Sequence, residues 1–470
     1  MRRLMAMDRI ASVSRAAIRG ERGAVSTIVA TLLGGGVILG FTALSVDVGS
    51  LMFERRQLQA GADAAAMSLA KTCASASAAT ISTECSAGNA AAMNILQDLN
   101  NLNNYRDDTG GFQSQPLDGS GKGYPQGVCG SGAAAAGLPP CPTPGGGLSE
   151  CPPIPDYITA NGVPYVEAHT QSKEANGTSL LPTSFIKTLV GGSTGNTVAA
   201  CSRAAYGAPG TGIGALPITV SGCDWMHATN GNAGGGGGQY WASPKYLAGG
   251  NANGYGGVGQ VGWPAAPATP PAQNPGGEVI LLVQNPPGGQ TAPTPCPGPG
   301  PSSTGWQGHA LPGGFGILET VSGDPCKIQE YPLHWMRTSP GNSTGCNLEA
   351  HVGKVVFLPV FNCTADGLPS TEPPVGTAPN VCSEGNGSNA HFHRQGYAAF
   401  YLSGYHVTTT GSIDNSVKSV NPNFNQFPCN GGESCISGWF VTGELTQSTT
   451  ISGPPTGSNY FGSYTVLPAG

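Results

Sequence analysis

Hydrophobic and polar positions divide the chain near its N-terminus. From Ala24 to Val46 run 23 residues without a charge, AVSTIVATLLGGGVILGFTALSV. At 1.5 Å per residue, such a helix is long enough to cross about 30 Å of hydrocarbon. The pattern then takes on a helical period. In DVGSLMFERRQLQAGADAAAMSLAK, Leu51, Leu58, Ala62, Ala65 and Leu69 recur on one face, among strong helix formers. The two stretches predict one continuous helix, a transmembrane part over 24–46 and an extracytoplasmic stalk over 47–72.

Farther on, the apolar runs are short and bounded by Gly, Pro and Asn. Tyr165–His169, Thr197–Cys201, Leu216–Ser221, Val279–Gln284, Ile317–Val321, Lys354–Phe361, Tyr397–Leu402 and Ile436–Leu445 read as strands. Ala90–Leu99 and Ser184–Val190 read as short helices. Residues 73–153 form a low-complexity, Cys-containing linker, and 154–470 a strand-rich domain with linkers near 230–275 and 284–310. The fold class expected is α+β: a long N-terminal transmembrane and stalk helix, then a strand-rich, disulfide-linked extracytoplasmic domain with long Gly/Pro-rich disordered insertions.

Charge gives the helix a direction. Arg2, Arg3, Arg9, Arg15, Arg19 and Arg22 precede the span, opposed only by Asp8 and Glu21. The positive-inside rule keeps residues 1–23 in the cytoplasm as a basic tail and sends everything after Asp47 outward. A cleaved signal peptide is the competing reading, but its apolar core is normally about 7–15 residues long. This one is longer and runs straight into a helix former, so the reading is an uncleaved single span in the cell membrane. Gly36 and Gly40 have the spacing of a small-residue face that lets another helix approach in lipid. Membrane helices are also simply richer in Gly.

Composition agrees with export. The 470 residues include 74 Gly and 40 Pro, and only 10% are charged. Only 11 of the 20 basic residues lie beyond Cys73, against 21 of the 26 acidic ones, so no basic surface is offered to nucleic acid. All 14 cysteines lie outside the span: Cys73, Cys85, Cys129, Cys141, Cys151, Cys201, Cys223, Cys296, Cys326, Cys346, Cys363, Cys382, Cys429 and Cys435. No CxxC occurs, and an even count on the outer side reads as a disulfide framework. Connectivity stays open, with Cys73–Cys85, Cys201–Cys223 and Cys429–Cys435 the natural near-neighbour pairs.

Catalytic patterns are weak, and no cofactor, metal or catalytic residue is expected. Gly341–Gly345 and Gly191–Gly195 fit GxSxG through Ser343 and Ser193, but neither has the strand before and helix after that a hydrolase elbow needs. His391 and His393 would share a face if they lay on a strand. With no companion ligand, two surface histidines in a loop are the expectation. Asn176, Asn342, Asn362 and Asn386 head N-x-Ser/Thr triplets, which matter only in a glycosylating host. Trp225, Tyr240, Trp241, Tyr246, Tyr255 and Trp263 lie among Gly runs and either form a sticky surface or tie the linker onto the domain, with packing the preferred reading.

GERGAV, an apolar span, ALSVDVG and then ERRQLQAGADAAAMSLAK, in that order and without gaps, resemble the N-terminus of TadE/TadG-like proteins of Flp (Tad) pilus assembly. The likeness covers 20–71 and is carried by Gly20, Arg22, Gly23, Asp47, Gly49, Leu58, Gln59, Asp63, Ala64, Ala65 and Ala66. Looser similarity continues in Tyr165–Gly207, Lys354–Asn362 and Gly396–Val407. The resemblance implies a non-enzymatic, membrane-anchored subunit that meets other pilus-assembly proteins or pilin-like subunits through its N-terminal helix. Processed prepilins usually carry Glu five residues after the cleaved Gly. After Gly23 that position is Ile28, and after Gly20 it is Val25, which favours the uncleaved branch. The DxSxS metal motif of some relatives is not found here. A tethered adhesin or glycan-binding protein is the alternative, and an envelope hydrolase a more distant one. The apolar stripe Leu51–Leu69 is either a docking face for partners or a surface covered by the protein's own strands.

Overall fold

A computed structural model describes residues 21–76, 81–87, 89, 111–131, 137–143, 151–172, 197–225, 279–284, 316–339, 345–370, 390–408, 414–420, 434–455 and 460–469, apart from a few positions inside these ranges. The two short helices expected at Ala90–Leu99 and Ser184–Val190 lie outside the described residues. Among the described residues the first element is one long helix, α1 (Glu21–Ser75, 55 residues), followed by α2 (Ile81–Glu84) and later α3 (Asp156–Ala160).

The lower half of α1 is apolar all round and uncovered. Leu32 and Leu39 are 70% and 71% exposed, and nothing in the protein buries the most apolar window of the helix. Its few polar side chains bond inward. The hydroxyls of Thr31, Thr42 and Ser45 donate to the carbonyls of Thr27, Ile38 and Phe41 at 2.7–2.8 Å. A segment with its hydroxyls satisfied by its own backbone suits a solvent without water.

Among the described residues, sixteen strands follow in chain order: β1 (Gly111–Phe112), β2 (Val128–Gly130), β3 (Tyr165–Gln171), β4 (Ala199–Pro209), β5 (Val220–Ser221), β6 (Val279–Gln284), β7 (Glu330–Tyr331), β8 (Trp335–Arg337), β9 (Val355–Asp366), β10 (Ala390–Thr408), β11 (Asp414–Val417), β12 (Ser434–Val441), β13 (Gly443–Glu444), β14 (Ile451–Gly453), β15 (Tyr460–Phe461) and β16 (Ser463–Pro468). The α+β class therefore holds. The stretch 73–153 contributes β1 and β2 to a sheet. Ile317–Val321 makes only isolated bridges, through Ile317, Leu318 and Thr320.

The strands form two sheets. A seven-stranded sheet runs β1-β3-β4-β16-β13, with β2 on β3 and β14 on β4. A nine-stranded sheet runs β5-β9-β10-β12-β6, with β7, β8, β11 and β15 attached around β10. The chain leaves the first sheet after β4 and returns to it only at β13. The closing strand β16 then pairs antiparallel with β4, Thr465 opposite Gly207 and Pro468 opposite Ala204. The largest apolar cluster belongs to the second sheet, with Val356, Leu358 and Val360 of β9 packed with Phe400 and Leu402 of β10 and Ile436 and Phe440 of β12. Trp225, the described member of the aromatic group weighed above, is buried there edge-on to Phe461, with ring centroids 4.9 Å apart.

Candidate functional site

The upper half of α1 lies on the first sheet, and strand alternation decides what it meets. Val166 and Ala168 of β3 and Ala204, Tyr206 and Ala208 of β4 point to one face, which is the helix face. Ala65, Ala66, Leu69, Ala70 and Cys73 pack into it. Ala62 and Leu58, one and two turns before Ala65, are also fully buried, while Leu51 is half-buried. Of the two alternatives for the apolar stripe, the structure shows the second for Leu58, Ala62, Ala65 and Leu69, which the protein's own sheet covers. Small side chains bring helix and strand backbones close, which explains the run of alanines physically.

The motif residues divide between this contact and the surface. The side-chain amide of Gln59 donates to the Cys201 carbonyl and to Asp63 Oδ1, both at 2.9 Å. Asp63 stays exposed, and Ala64 is half-buried at the edge of the contact. The Thr170 hydroxyl donates to the Leu58 carbonyl at 3.1 Å. Asp47, at the outer end of the apolar stretch, is buried. At the far end a disulfide, Cys73–Cys85, ties the last turn of α1 to the segment after it.

Opposite the helix, the same alternation gathers Tyr165, Glu167 and His169 of β3 with Cys201 and Arg203 of β4 and Cys129 of β2. Arg203 is fully buried. Its Nε and one terminal nitrogen donate to Glu167 Oε1 at 2.8 and 2.5 Å, and the other terminal nitrogen donates to the Pro152 carbonyl at 2.8 Å. His169 lies 3.2 Å from Glu167 Oε2 and stacks on Tyr124, with ring centroids 3.7 Å apart. A buried charge needs such pairing to be tolerable. Two further disulfides, Cys129–Cys141 and Cys151–Cys201, enclose this cluster.

Here the Cys201–Cys223 expectation is corrected, since Cys201 bonds to Cys151. Cys129 and Cys201 sit on strands either side of β3, about 9.6 Å apart across two strand spacings. That is beyond the Cα reach of about 6.8 Å for a disulfide, so Cys129 and Cys201 cannot bond to each other without moving the sheet. Cys326–Cys346 is the fourth described bridge. Cys363 and Cys435 are disulfide-bonded too, and none of the described cysteines is free. Cys223, Cys296, Cys382 and Cys429 lie outside the described residues.

Three side-chain groups among the described residues are close enough to hold a metal ion: Cys151, Glu167, His169 and Cys201; Cys129, Cys141 and Glu167; and Cys326, Cys346 and His351. Each contains both halves of a disulfide, whose sulfurs offer no thiolate.

A second polar cluster joins the sheets. Arg394 of β10 donates to the Gly210 carbonyl at 3.0 Å and meets His334 Nδ1 at 2.8 Å. Its Nε lies 2.9 Å from Glu330 Oε1 as an ion pair, although the N–H does not point at the oxygen. The Tyr397 hydroxyl donates to the same Glu330 oxygen, and the guanidinium sits 4.6 Å from the Tyr397 ring centroid. Gly212 passes so close to that hydroxyl that a Cβ there would collide with it. Leu333 and His334 hold left-handed φ values of 60° and 62° beside this cluster.

The loop expectation for His391 and His393 is also corrected. Both lie within β10 and are buried, because alternation turns them toward Tyr331 and Trp335. His393 Nδ1 is 2.7 Å from Asn362 Oδ1, and burial pushes this imidazole down to about 4, helped by His334 and Arg394 nearby. Both GxSxG matches fall outside the described residues, except Gly345.

The fold and the helix define a class: a disulfide-bonded two-sheet domain carried on a helix that is apolar and long enough to cross a membrane. Residues 23–69, all within α1, match the family model described as "Putative Flp pilus-assembly TadE/G-like", so this helix is similar to that family's segment. No curated protein and no solved structure matches the chain.

Proposed function

We propose that this chain is a single-pass, membrane-anchored component of a Flp/Tad-type pilus assembly machine that acts without catalysis. Its basic tail lies in the cytoplasm and both sheets lie outside. The observation that carries this reading is the division of α1 within the family-matched segment: an uncovered apolar half, then a half consumed by packing on the sheet. Disulfides on the outer side and the Arg-rich tail before the span support the orientation.

Because the outer stripe is covered, contact with pilin-like subunits falls to the membrane half. Around Gly34, Gly35, Gly36 and Gly40 there is open space for a partner helix. The conspicuous buried polar groups are engaged with one another or flank disulfides, which supports a structural rather than a catalytic role for them. The test is genetic and topological. Deletion should abolish pili, and a reporter active only outside the cytoplasm should work when fused after Lys71 and fail after Arg22. Intact pili with lost attachment would favour an adhesin instead, and the opposite reporter pattern would overturn the orientation.

A further inference from the structure

The two faces of α1 just beyond the span differ in kind. Asp47, Leu51, Glu54 and Leu58, at steps of four, three and four, form the covered face, with Asp47 and Glu54 only 5% and 2% exposed. On the other side Val48, Met52 and Phe53 are 37%, 62% and 51% exposed, and the exposed Arg56 follows Met52 by one turn. This apolar face continues directly from the uncovered side chains of the span, through Leu44 and Val46.

Height decides what can cover it. The polar layer on each side of a bilayer is about 6 Å thick. By helix rise, Val48 stands about 3 Å, Met52 about 9 Å and Phe53 about 10 Å beyond Val46. Helical side chains lean back toward the N-terminus, which here is toward the membrane. Met52 and Phe53 therefore reach down into the headgroup layer. Arg56, about 15 Å beyond Val46 by the same rise, has an aliphatic stem long enough to bring its guanidinium back to the lipid phosphates.

We propose that Val48, Met52, Phe53 and Arg56 form a docking face for the headgroup layer of the outer leaflet, so that the folded domain rests on the membrane instead of standing off on a stalk. The occupant is anionic phospholipid. Apolar continuity with the span supplies the insertion, and Arg56 supplies the charge match. This rests on the reading of Ala24–Val46 as a span.

The test uses the full chain in vesicles of phosphatidylethanolamine and phosphatidylglycerol. A benzophenone amino acid replaces Leu44, Met52, Phe53 or Asp63, one at a time, all exposed positions. After irradiation, mass spectrometry identifies what was captured. Lipid adducts are expected at Leu44, Met52 and Phe53 and not at Asp63. Arg56→Gln should lower the Phe53 lipid adduct about fivefold in anionic vesicles, the factor for roughly 1 kcal/mol per basic group at a charged surface. Lipid capture at Leu44 alone, with none at Met52 and Phe53 or with capture of a second copy there, would overturn the docking face and leave the span intact. No lipid adduct at Leu44 would overturn the span and this face together.

Discussion

The side chain of Gln59 reaches from the helix to the backbone of Cys201 on β4, 142 positions later, and holds its carbonyl at 2.9 Å. The same Cys201 bonds through its sulfur to Cys151 on the opposite face of the sheet. One strand residue thus joins the long N-terminal helix on one side to the disulfide-enclosed polar cluster on the other. The upper half of the helix is a structural layer of the domain and not a separate stalk.

Charge placed in that layer should unfold it. Ala62→Glu or Ala65→Glu puts an unpaired carboxylate at a fully buried position, and a loss of a few kcal/mol is expected. Gln59→Ala should cost about 1 kcal/mol. Thermal unfolding of the full chain in detergent checks both. An abundant Ala65→Glu protein with unchanged melting would contradict the packing described.

The Cys151–Cys201 bridge closes a loop across 50 positions. Replacing both cysteines with Ala should lower stability by roughly 4 kcal/mol on the chain-entropy account. Alkylation of the unreduced protein should leave all ten described cysteines unmodified, and recovery of labelled Cys129, Cys151 or Cys201 peptides would refute the framework.

Acid should weaken the second sheet through His393. Its folded value of about 4 lies below the ordinary unfolded value near 6.5, because burial disfavours the imidazolium. As pH falls through 6.5 the unfolded chain takes up the proton first. The contribution of His393 is therefore complete above about 6.5 and is lost progressively down to about 4, roughly 3 kcal/mol in all. A melting curve against pH should show that slope in the wild type, and His393→Gln should flatten it.

Strain at Leu333 should be removable. An exposed Leu with φ of 60° gains nothing visible from its conformation, and glycine adopts it freely. Leu333→Gly is expected to stabilise by about 1 kcal/mol. A clear loss of stability in denaturant titration would show that the Leu333 side chain makes a contact worth more than the strain.

Much of this architecture is visible in one dimension, and the limit is set by range. A charge-free run of 23 residues and a helical period on Leu58, Ala62, Ala65 and Leu69 are local patterns, and so are the apolar cores of β6, β9, β10 and β12. Cys73–Cys85 was legible because 12 positions separate its halves. The resemblance over 20–71 was carried by contiguous residues, and the family match falls on the same stretch.

What lay beyond reach depends on pairings between distant segments. Nothing near Ala65 says whether its face meets a partner or β4, because an apolar stripe looks the same in either case. That choice is made by β3, β4 and β16, which arrive from residues 165–171, 199–209 and 463–468 to build the surface that covers it. The sequence by itself determined the membrane-length helix, the strand-rich class and the cysteine framework, because each is written in neighbouring residues or in composition. Only the tertiary structure decided that Cys201 takes Cys151, that His391 and His393 are buried in a strand, and that Glu167 neutralises Arg203, because burial and register arise when strands far apart in the chain come to lie side by side.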